Sequence, residues 1–377
     1  MNSRALTLPA LLAAVGLFAL SASGCGSSSD AAPAGAKTVS VKLTDAGCEP
    51  HDLTVPAGPV EFEVENAGSA GVTEAEVLDG EKILGEKEDV TEGLSGSFSL
   101  TLDAGRYTMR CNGGEDEDGT LTVTGATRAT STPAAEKAVG AYRRYLERNA
   151  AELLARTRPF LAAVAAADVA RAKTLYATAR TPYERIEPVA ESFGDLDALI
   201  DARENEAPKG EWGGFHRIEK ALWAEGTTRG MVPVAHRLLN DGEELASKVR
   251  TVDLQAAQIA NGANELLGEV SASKITGEEE RYSHTDLADF EANVEGAQAA
   301  FKAVAPLLGA SDAGLTKGIE ADFEAVYAEL KPYRRGAGFV PYTALDQADT
   351  RRLAQSIDAL AEKLSQVPAP VAAAEGG

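Results

Sequence analysis

His216 and Glu219 are the residues of this chain whose types and spacing most directly indicate metal binding. They are three residues apart, and residues at that spacing share one face of a helix. An imidazole nitrogen and a carboxylate can therefore converge on one point, as the beginning of a metal site that needs further oxygen ligands. Gly213 and Gly214 directly precede the pair and would begin its helix.

More carboxylates occur upstream of this pair. Glu184 and Glu187 are three residues apart, and Asp197 and Asp201 are four apart. At these spacings the side chains lie on one helix face, and within a bundle core they would need a cation to offset their desolvation. Such pairs are also common on solvated helix faces, so each pair taken alone is ambiguous.

The overall charge favours cations as partners. The chain has 377 residues, with 36 basic and 58 acidic side chains and a net charge of −22. This length suggests two domains. The acidic surface disfavours nucleic acid as a partner and would raise the local concentration of cations.

The N-terminus has the pattern of a secretory signal peptide over residues 1–24. Arg4 precedes an apolar stretch over 5–20, and small residues then lead to Cys25. This arrangement resembles a bacterial lipobox, which predicts a lipid anchor on Cys25 that holds the protein at a membrane through a flexible tether over 25–36. The alternative is plain secretion with a free cysteine.

Two compositions divide the remainder of the chain. Residues 37–126 alternate apolar and polar side chains between turn signals, as in 60–65, which predicts an antiparallel β-sandwich. After a linker at 127–133, apolar residues recur every three or four positions over 134–366, which predicts an all-α bundle. The last residues, 367–377, are rich in Pro, Ala and Gly and are expected to be flexible.

Several segments resemble one known family. Residues 183–188, 193–201, 214–219 and 275–287 are similar to the imelysin-like domain of EfeO-type iron-uptake proteins, and residues 43–50 and 53–58 fit the same family. The resemblance covers nearly the whole mature chain in the right order. It implies a cupredoxin-like β-sandwich followed by an imelysin-like helical bundle.

The resemblance also implies a function and a site. The function is iron capture outside the cytoplasm, in the periplasm or cell-wall space, with a membrane iron permease and a haem-peroxidase-like protein as partners. Tyr282, His284 and Asp286 would form a second cluster beside the site. The implied metal ligands are Glu184, Glu187, Asp201, His216 and Glu219.

The types of the predicted ligands do not determine which metal is bound. Carboxylates and one imidazole accept ferrous or ferric iron, and also zinc, manganese or copper.

For the β domain, Cys48 and Cys111 have two interpretations. One is a disulfide, which is usual outside the cytoplasm, and the other is a metal site completed by Glu74 or Glu76. A blue-copper centre is disfavoured because the domain has His51 as its single histidine.

An enzymatic function is the main alternative. The family is classed with metallopeptidases, but those enzymes need His-Glu-x-x-His, and here Arg217 occupies the position of the catalytic glutamate. A ferroxidase is a second alternative, and a polysaccharide-binding envelope protein is disfavoured by an aromatic content of 6%. The sequence therefore predicts a binding protein and not an enzyme.

Overall fold

The computed structural model describes residues 36–126, 131–204, 206–207, 212–309 and 312–376. The predicted signal peptide, Cys25 as the predicted lipidation site, and residues 127–130 of the predicted linker lie outside these ranges. Among the helices of the described residues, none is both long enough and apolar enough to cross a membrane.

The N-terminal domain is the predicted β-sandwich. One sheet has the strand order β2-β1-β4-β7, and the other has the order β3-β9-β8-β5-β6. β1 pairs with β4 and β3 with β9 in parallel, which departs from a purely antiparallel sandwich because the chain crosses between the sheets after β2. Over residues 36–126 the strands are β1 (Lys37–Thr44), β2 (Gly47–Glu49), β3 (Leu53–Pro56), β4 (Gly58–Asn66), β5 (Ala75–Asp79), β6 (Lys82–Lys87), β7 (Ser95–Leu102), β8 (Gly105–Arg110) and β9 (Asp118–Thr124).

Alternation along β4 explains how the sandwich closes. Val60, Phe62 and Val64 are buried, whereas Glu63 on the opposite face is exposed. The Phe62 ring stacks on Phe98 of β7 with centroids 4.9 Å apart, which fills the space between the sheets.

The second domain is the predicted helical bundle. Thr132 caps α1 by accepting a hydrogen bond from the Ala135 N–H, and Pro133 is the first helical residue. A two-residue hairpin forms between Arg334–Arg335 and Gly338–Phe339. The helices of its described residues are α1 (Pro133–Ala165), α2 (Val169–Glu184), α3 (Leu196–Asp201), α4 (Gly214–Trp223), α5 (Val232–Lys248), α6 (Ala256–Ala272), α7 (Asp286–Val304), α8 (Ala313–Leu330), α9 (Gln347–Leu364) and α10 (Pro368–Gly376).

The chain changes direction between Glu184 and Glu187. α2 ends at Glu184, and a 3-10 segment follows over Glu187–Phe193. Pro188 has no N–H to continue an α-helix and restricts the residue before it, so the helix stops here. Glu184 and Glu187 are therefore not on one continuous helix face.

The C-terminal residues correct one expectation. Instead of a flexible tail, Pro368–Gly376 forms α10, which packs on α6 and on strands β4 and β7. Val371 and Ala372 are fully buried, and the Glu375 carboxylate accepts hydrogen bonds from the N–H groups of Ala256 and Ala257 at the start of α6. Burial of apolar area and a helix cap explain why this segment is ordered.

The two domains pack against each other through specific polar contacts. The Asn261 side chain of α6 exchanges two hydrogen bonds with the backbone of Ser99, at 3.1 and 2.7 Å. Lys87 of the β domain forms a 2.7 Å ion pair with Glu265. These buried contacts, together with α10, fix the β domain on the helical bundle.

Candidate metal centre

α4 brings His216 and Glu219 into the core of the bundle. Gly214 begins the helix at φ +67°, and a Cβ on it would lie 2.2 Å from the carbonyl oxygen of Ile200. Only glycine allows this close approach of α4 to α3. One turn further on, His216 is 2% exposed and Glu219 is 0% exposed.

The His216 imidazole lies between two pairs of carboxylates. Its Nε2 is 3.6 Å from Asp201 Oδ1 and 3.5 Å from Glu279 Oε1. Its Nδ1 is 3.5 Å from Glu219 Oε2 and 3.9 Å from Glu280 Oε1. Both nitrogens are buried, and neither forms a hydrogen bond with any described residue. Each nitrogen with its two carboxylates makes a three-ligand group in which the ligand atoms are within 4.8 Å of one another.

Separate elements supply these carboxylates. Asp201 is the last residue of α3, whereas Glu279 and Glu280 belong to the loop before α7. This loop is held by Glu219, whose Oε1 accepts hydrogen bonds from the N–H groups of Tyr282 and Ser283 at 2.8 and 2.6 Å. Glu219 thus both faces the imidazole and positions the loop that carries two other carboxylates.

Arg180 of α2 is a fully buried cation inside the same cluster. In three of its ion pairs, those with Asp201, Glu279 and Glu280, it contacts the same oxygen that faces His216. The guanidinium therefore fixes the direction of these oxygens and offsets part of their charge. Its carboxylate partners among the described residues are Glu184, Asp201, Glu279, Glu280 and Asp289.

The pKa values of these carboxyl groups diverge. Burial would raise the pKa of Glu219, but its contact with His216 and the two backbone donors lowers it. Burial would also raise the pKa of Glu279, yet Lys274 and His216 hold it well below the ordinary value. Burial and the charge of Glu219 raise the pKa of Glu280 well above its ordinary value. The same cluster thus holds carboxyl groups whose pKa values are shifted in opposite directions by their neighbours.

Glu184 and Glu187 belong to a neighbouring group centred on Lys274. The ammonium is 5% exposed, pairs with Glu187, and lies 3.9 Å from Glu184 and 3.8 Å from Glu269. The structure therefore does not bring these two predicted ligands to His216, because Pro188 turns Glu187 away and Lys274 already supplies a positive charge.

The remaining predicted residues lie around the cluster. Asp197 accepts a hydrogen bond from the Tyr183 hydroxyl, and Asp286 accepts one from the Glu280 N–H at 3.1 Å. Tyr282 contributes its backbone N–H. His284 is half-buried and is not part of either three-ligand group, and His236 is exposed.

In the β domain, Cys48 and Cys111 are joined by a disulfide, with their Cα atoms 5.4 Å apart. Neither sulfur is then a thiolate ligand. Glu74 and Glu76 both accept hydrogen bonds from the Asn112 amide. Burial, with the adjacent Glu76, raises the pKa of Glu74 to about 8.

The residues that sequence reasoning missed are Glu279, Glu280, Arg180 and Lys274. Glu279 and Glu280 lie in the segment that carries the family resemblance, but a run of three glutamates has no periodicity that distinguishes the buried members. Arg180 is four residues before Glu184, a spacing that indicates an ion pair on one helix face.

Family models match both domains. The imelysin model matches residues 138–367, and the cupredoxin-like domain model matches residues 11–123. The chain is thus a two-domain protein of the cupredoxin-like and imelysin classes, as the sequence predicted.

Curated relatives extend this match over most of the chain. The chain is 40% identical to iron uptake system component EfeO of Yersinia pseudotuberculosis over 336 residues, which cover 87% of this chain and 90% of the relative. It is 39% identical to EfeO of Yersinia pestis over 373 residues, 97% of this chain and 96% of the relative. It is also 39% identical to EfeO of Escherichia coli over 338 residues, 87% of this chain and 90% of the relative. The chain belongs to the EfeO-type imelysin family. Its relatives are named as uptake components and not as enzymes, in agreement with the predicted binding protein.

Proposed function

We propose that this protein is an iron-binding component of an iron-uptake system and that it captures iron at His216. The observation that carries the proposal is the buried imidazole, both of whose nitrogens face carboxylate oxygens at 3.5–3.9 Å without a hydrogen bond. The names of the relatives favour iron as the bound metal. Zinc, manganese and copper are alternatives on ligand chemistry alone.

The ligands in this proposal are His216 and the carboxylates around it. A single ion bonds one nitrogen of an imidazole, so it takes either Asp201 and Glu279 or Glu219 and Glu280 as its nearest oxygen ligands. The remaining pair then orients the ring through the other nitrogen, as carboxylates do at many histidine–metal sites. Arg180 limits the net negative charge of the set, which weakens retention of the ion and so favours its release.

Transport requires that the carrier stay near a membrane. We propose that the protein acts outside the cytoplasm, is lipidated at Cys25 and delivers iron to a membrane permease with a haem-peroxidase-like partner. The signal-like N-terminus supports the location, and the net charge of −22 supports collection of cations. Peptidase activity is disfavoured because Arg217 stands where a catalytic glutamate would be needed.

The test is iron binding by the soluble chain from Ala36 onward. His216→Ala/Glu219→Ala is expected to lower iron affinity by at least about 100-fold, since one direct ligand and a carboxylate beside it are lost. The matched control is His236→Ala/Glu244→Ala, which removes the same residue types from the exposed face of α5. Equal affinity in both double variants would contradict the proposed site.

A further inference from the structure

A cavity of about 210 Å³ lies between the two domains and reaches the His216 cluster. The β domain contributes one wall through β6 and the residues after it, including Glu86 and Glu88. The 3-10 segment and α6 of the helical domain form the other wall. Asp201 and Glu279 line the cavity as well, and these are the two carboxylates that face Nε2 of His216.

The lining of this cavity is strongly acidic. Among its described residues, ten side chains are acidic, and two, Arg203 and Lys274, are basic. Both basic groups are held by carboxylates, because Arg203 contacts Glu279 at 3.3 Å and Lys274 pairs with Glu187. A cation inside the cavity would be attracted to the carboxylates that are ionised, and low-dielectric walls strengthen that attraction. Burial, with neighbouring carboxylates, raises the pKa of Glu88 to about 7 and that of Glu191 to about 8, so the attraction grows as the pH rises through this range.

A smaller recess also reaches the cluster, and Arg203 and Glu279 line both it and the interdomain cavity. The recess is lined by His216 and Glu219 as well, together with Trp212, Arg281 and Tyr282, and its volume is about 10 Å³. A cavity needs about 10–15 Å³ by this measure to hold one water. The recess therefore has no room for a hydrated metal ion, whereas the interdomain cavity has room for an ion with several waters.

The wall formed by the β domain is fixed in place. Asn261, which lines the cavity, is bonded to the Ser99 backbone at 3.1 and 2.7 Å. Lys87 and Glu265 form their ion pair at the same boundary. These contacts hold the β wall against α6, so the cavity depends on the β domain.

We propose that the interdomain cavity is the route by which a hydrated divalent cation reaches His216, with the β domain as one wall of that route. This inference depends on the proposed function, because it takes His216 as the destination. The ion arrives at Nε2 and meets Asp201 and Glu279 first. Glu219 then remains on Nδ1, where it orients the ring.

The experiment places a removable obstacle at each opening in turn. In the chain from Ala36, Cys48 and Cys111 are in the disulfide, so an introduced cysteine is the single free thiol. Ser192→Cys puts it in the interdomain cavity and Arg281→Cys puts it in the small recess. Each variant is measured before and after reaction with a bulky aromatic maleimide. Anaerobic Fe²⁺ loading is followed by stopped-flow quenching of Trp212 and Trp223.

The expected result is that the adduct at position 192 slows Fe²⁺ loading by at least about tenfold, while the adduct at 281 leaves the rate unchanged. The proposed route is contradicted if the adduct at 192 leaves the loading rate unchanged. It is also contradicted if the adduct at 281 slows loading, whether or not the adduct at 192 does so too. Loss of the proposed function is seen separately, as Fe²⁺ affinity that does not depend on His216.

A second pair of variants tests the β wall without an adduct. At low salt and at a pH above the value of about 7 to which burial raises the pKa of Glu88, Glu86→Gln/Glu88→Gln is expected to slow loading about threefold, because it removes attraction along the route. The effect should be smaller at high salt. The matched control is Glu61→Gln/Glu63→Gln on β4, outside the cavity. Equal rates for the two double variants would contradict a role for the β wall.

Discussion

The helical domain contains two adjacent buried carboxylate groups that differ in what lies at their centre. One surrounds the ammonium of Lys274, and the other surrounds the imidazole of His216, with Glu279 contacting both. Burial opposes the charge of Lys274, but the acidic neighbours raise its pKa well above the ordinary value. Burial likewise opposes protonation of His216, and Glu219 and Glu279 raise its pKa.

The comparison shows that carboxylates alone do not define a metal site. An ammonium keeps its proton and has no lone pair to offer, so the Lys274 group carries its own cation. An imidazole has a nitrogen lone pair once its proton is lost or displaced, and it can then bind a metal. The two groups use the same acidic residue types, and the central side chain distinguishes a structural ion cluster from the proposed binding site.

The largest expected effect comes from removing the internal cation. Lys274→Met leaves Glu187 and Glu269 without their central charge, whereas Glu184 keeps its ion pair with Arg180. Breaking a buried ion pair in this way costs about 3–5 kcal/mol. Chemical denaturation without metal should show this loss, and added divalent metal should recover part of it by replacing the ammonium. Lys248→Met, which removes a lysine from an exposed ion pair with Glu244 on the same helix, should change stability by less than about 1 kcal/mol. Unchanged stability of Lys274→Met would contradict the role given to this lysine.

The disulfide of the β domain is expected to affect stability but not iron binding. Cys48→Ser/Cys111→Ser opens a loop with a sequence separation of 63 residues, and the loss of unfolding free energy is expected to be about 2–4 kcal/mol. Iron affinity should not change, because neither sulfur contacts the His216 cluster. Thermal unfolding and iron titration of the same sample measure both quantities, and weaker iron binding by the folded variant would favour a metal site in the β domain.

Glu279 lies between the His216 group and the Lys274 group, and its substitution tests whether it is a metal ligand. Glu279→Gln removes a charged oxygen beside Nε2 and should weaken iron binding by about tenfold, or about 1.4 kcal/mol. Glu278→Gln is the matched control. Glu278 is the preceding residue, and its side chain is exposed, so this substitution should leave the iron affinity unchanged. Isothermal titration of both variants compares them, and equal affinities would exclude Glu279 as a ligand.

The smallest effect concerns the C-terminal helix that joins the domains. Glu375→Ala removes the acceptor for two N–H groups at the start of α6 and should cost about 1 kcal/mol of unfolding free energy. Glu362→Ala, on the exposed side of α9, should cost less. A loss at Glu362 as large as that at Glu375 would show that the cap does not stabilise the interface.

The fold was predictable from periodicity and the candidate site only in part. Alternation along 60–65 and the three-to-four repeat after Pro133 each mark one kind of element, so both domain types followed directly. His216 and Glu219 were visible because they are close in sequence. Glu279 and Glu280 reach the imidazole only through a loop pinned by Glu219, and that contact depends on the tertiary fold. The composition of residues 367–377 predicts a flexible tail, but the burial of Val371 and the helix cap made by Glu375 give this segment its helical structure.

Iron capture at His216 is tested most directly by locating iron in crystals of the chain from Ala36 onward, grown with iron and measured at its absorption edge. We expect an anomalous peak within coordination distance of a His216 nitrogen and of at least one carboxylate among Asp201, Glu219, Glu279 and Glu280. A peak at the Lys274 group, or beside Glu74 and Glu76 in the β domain with none at His216, would contradict it.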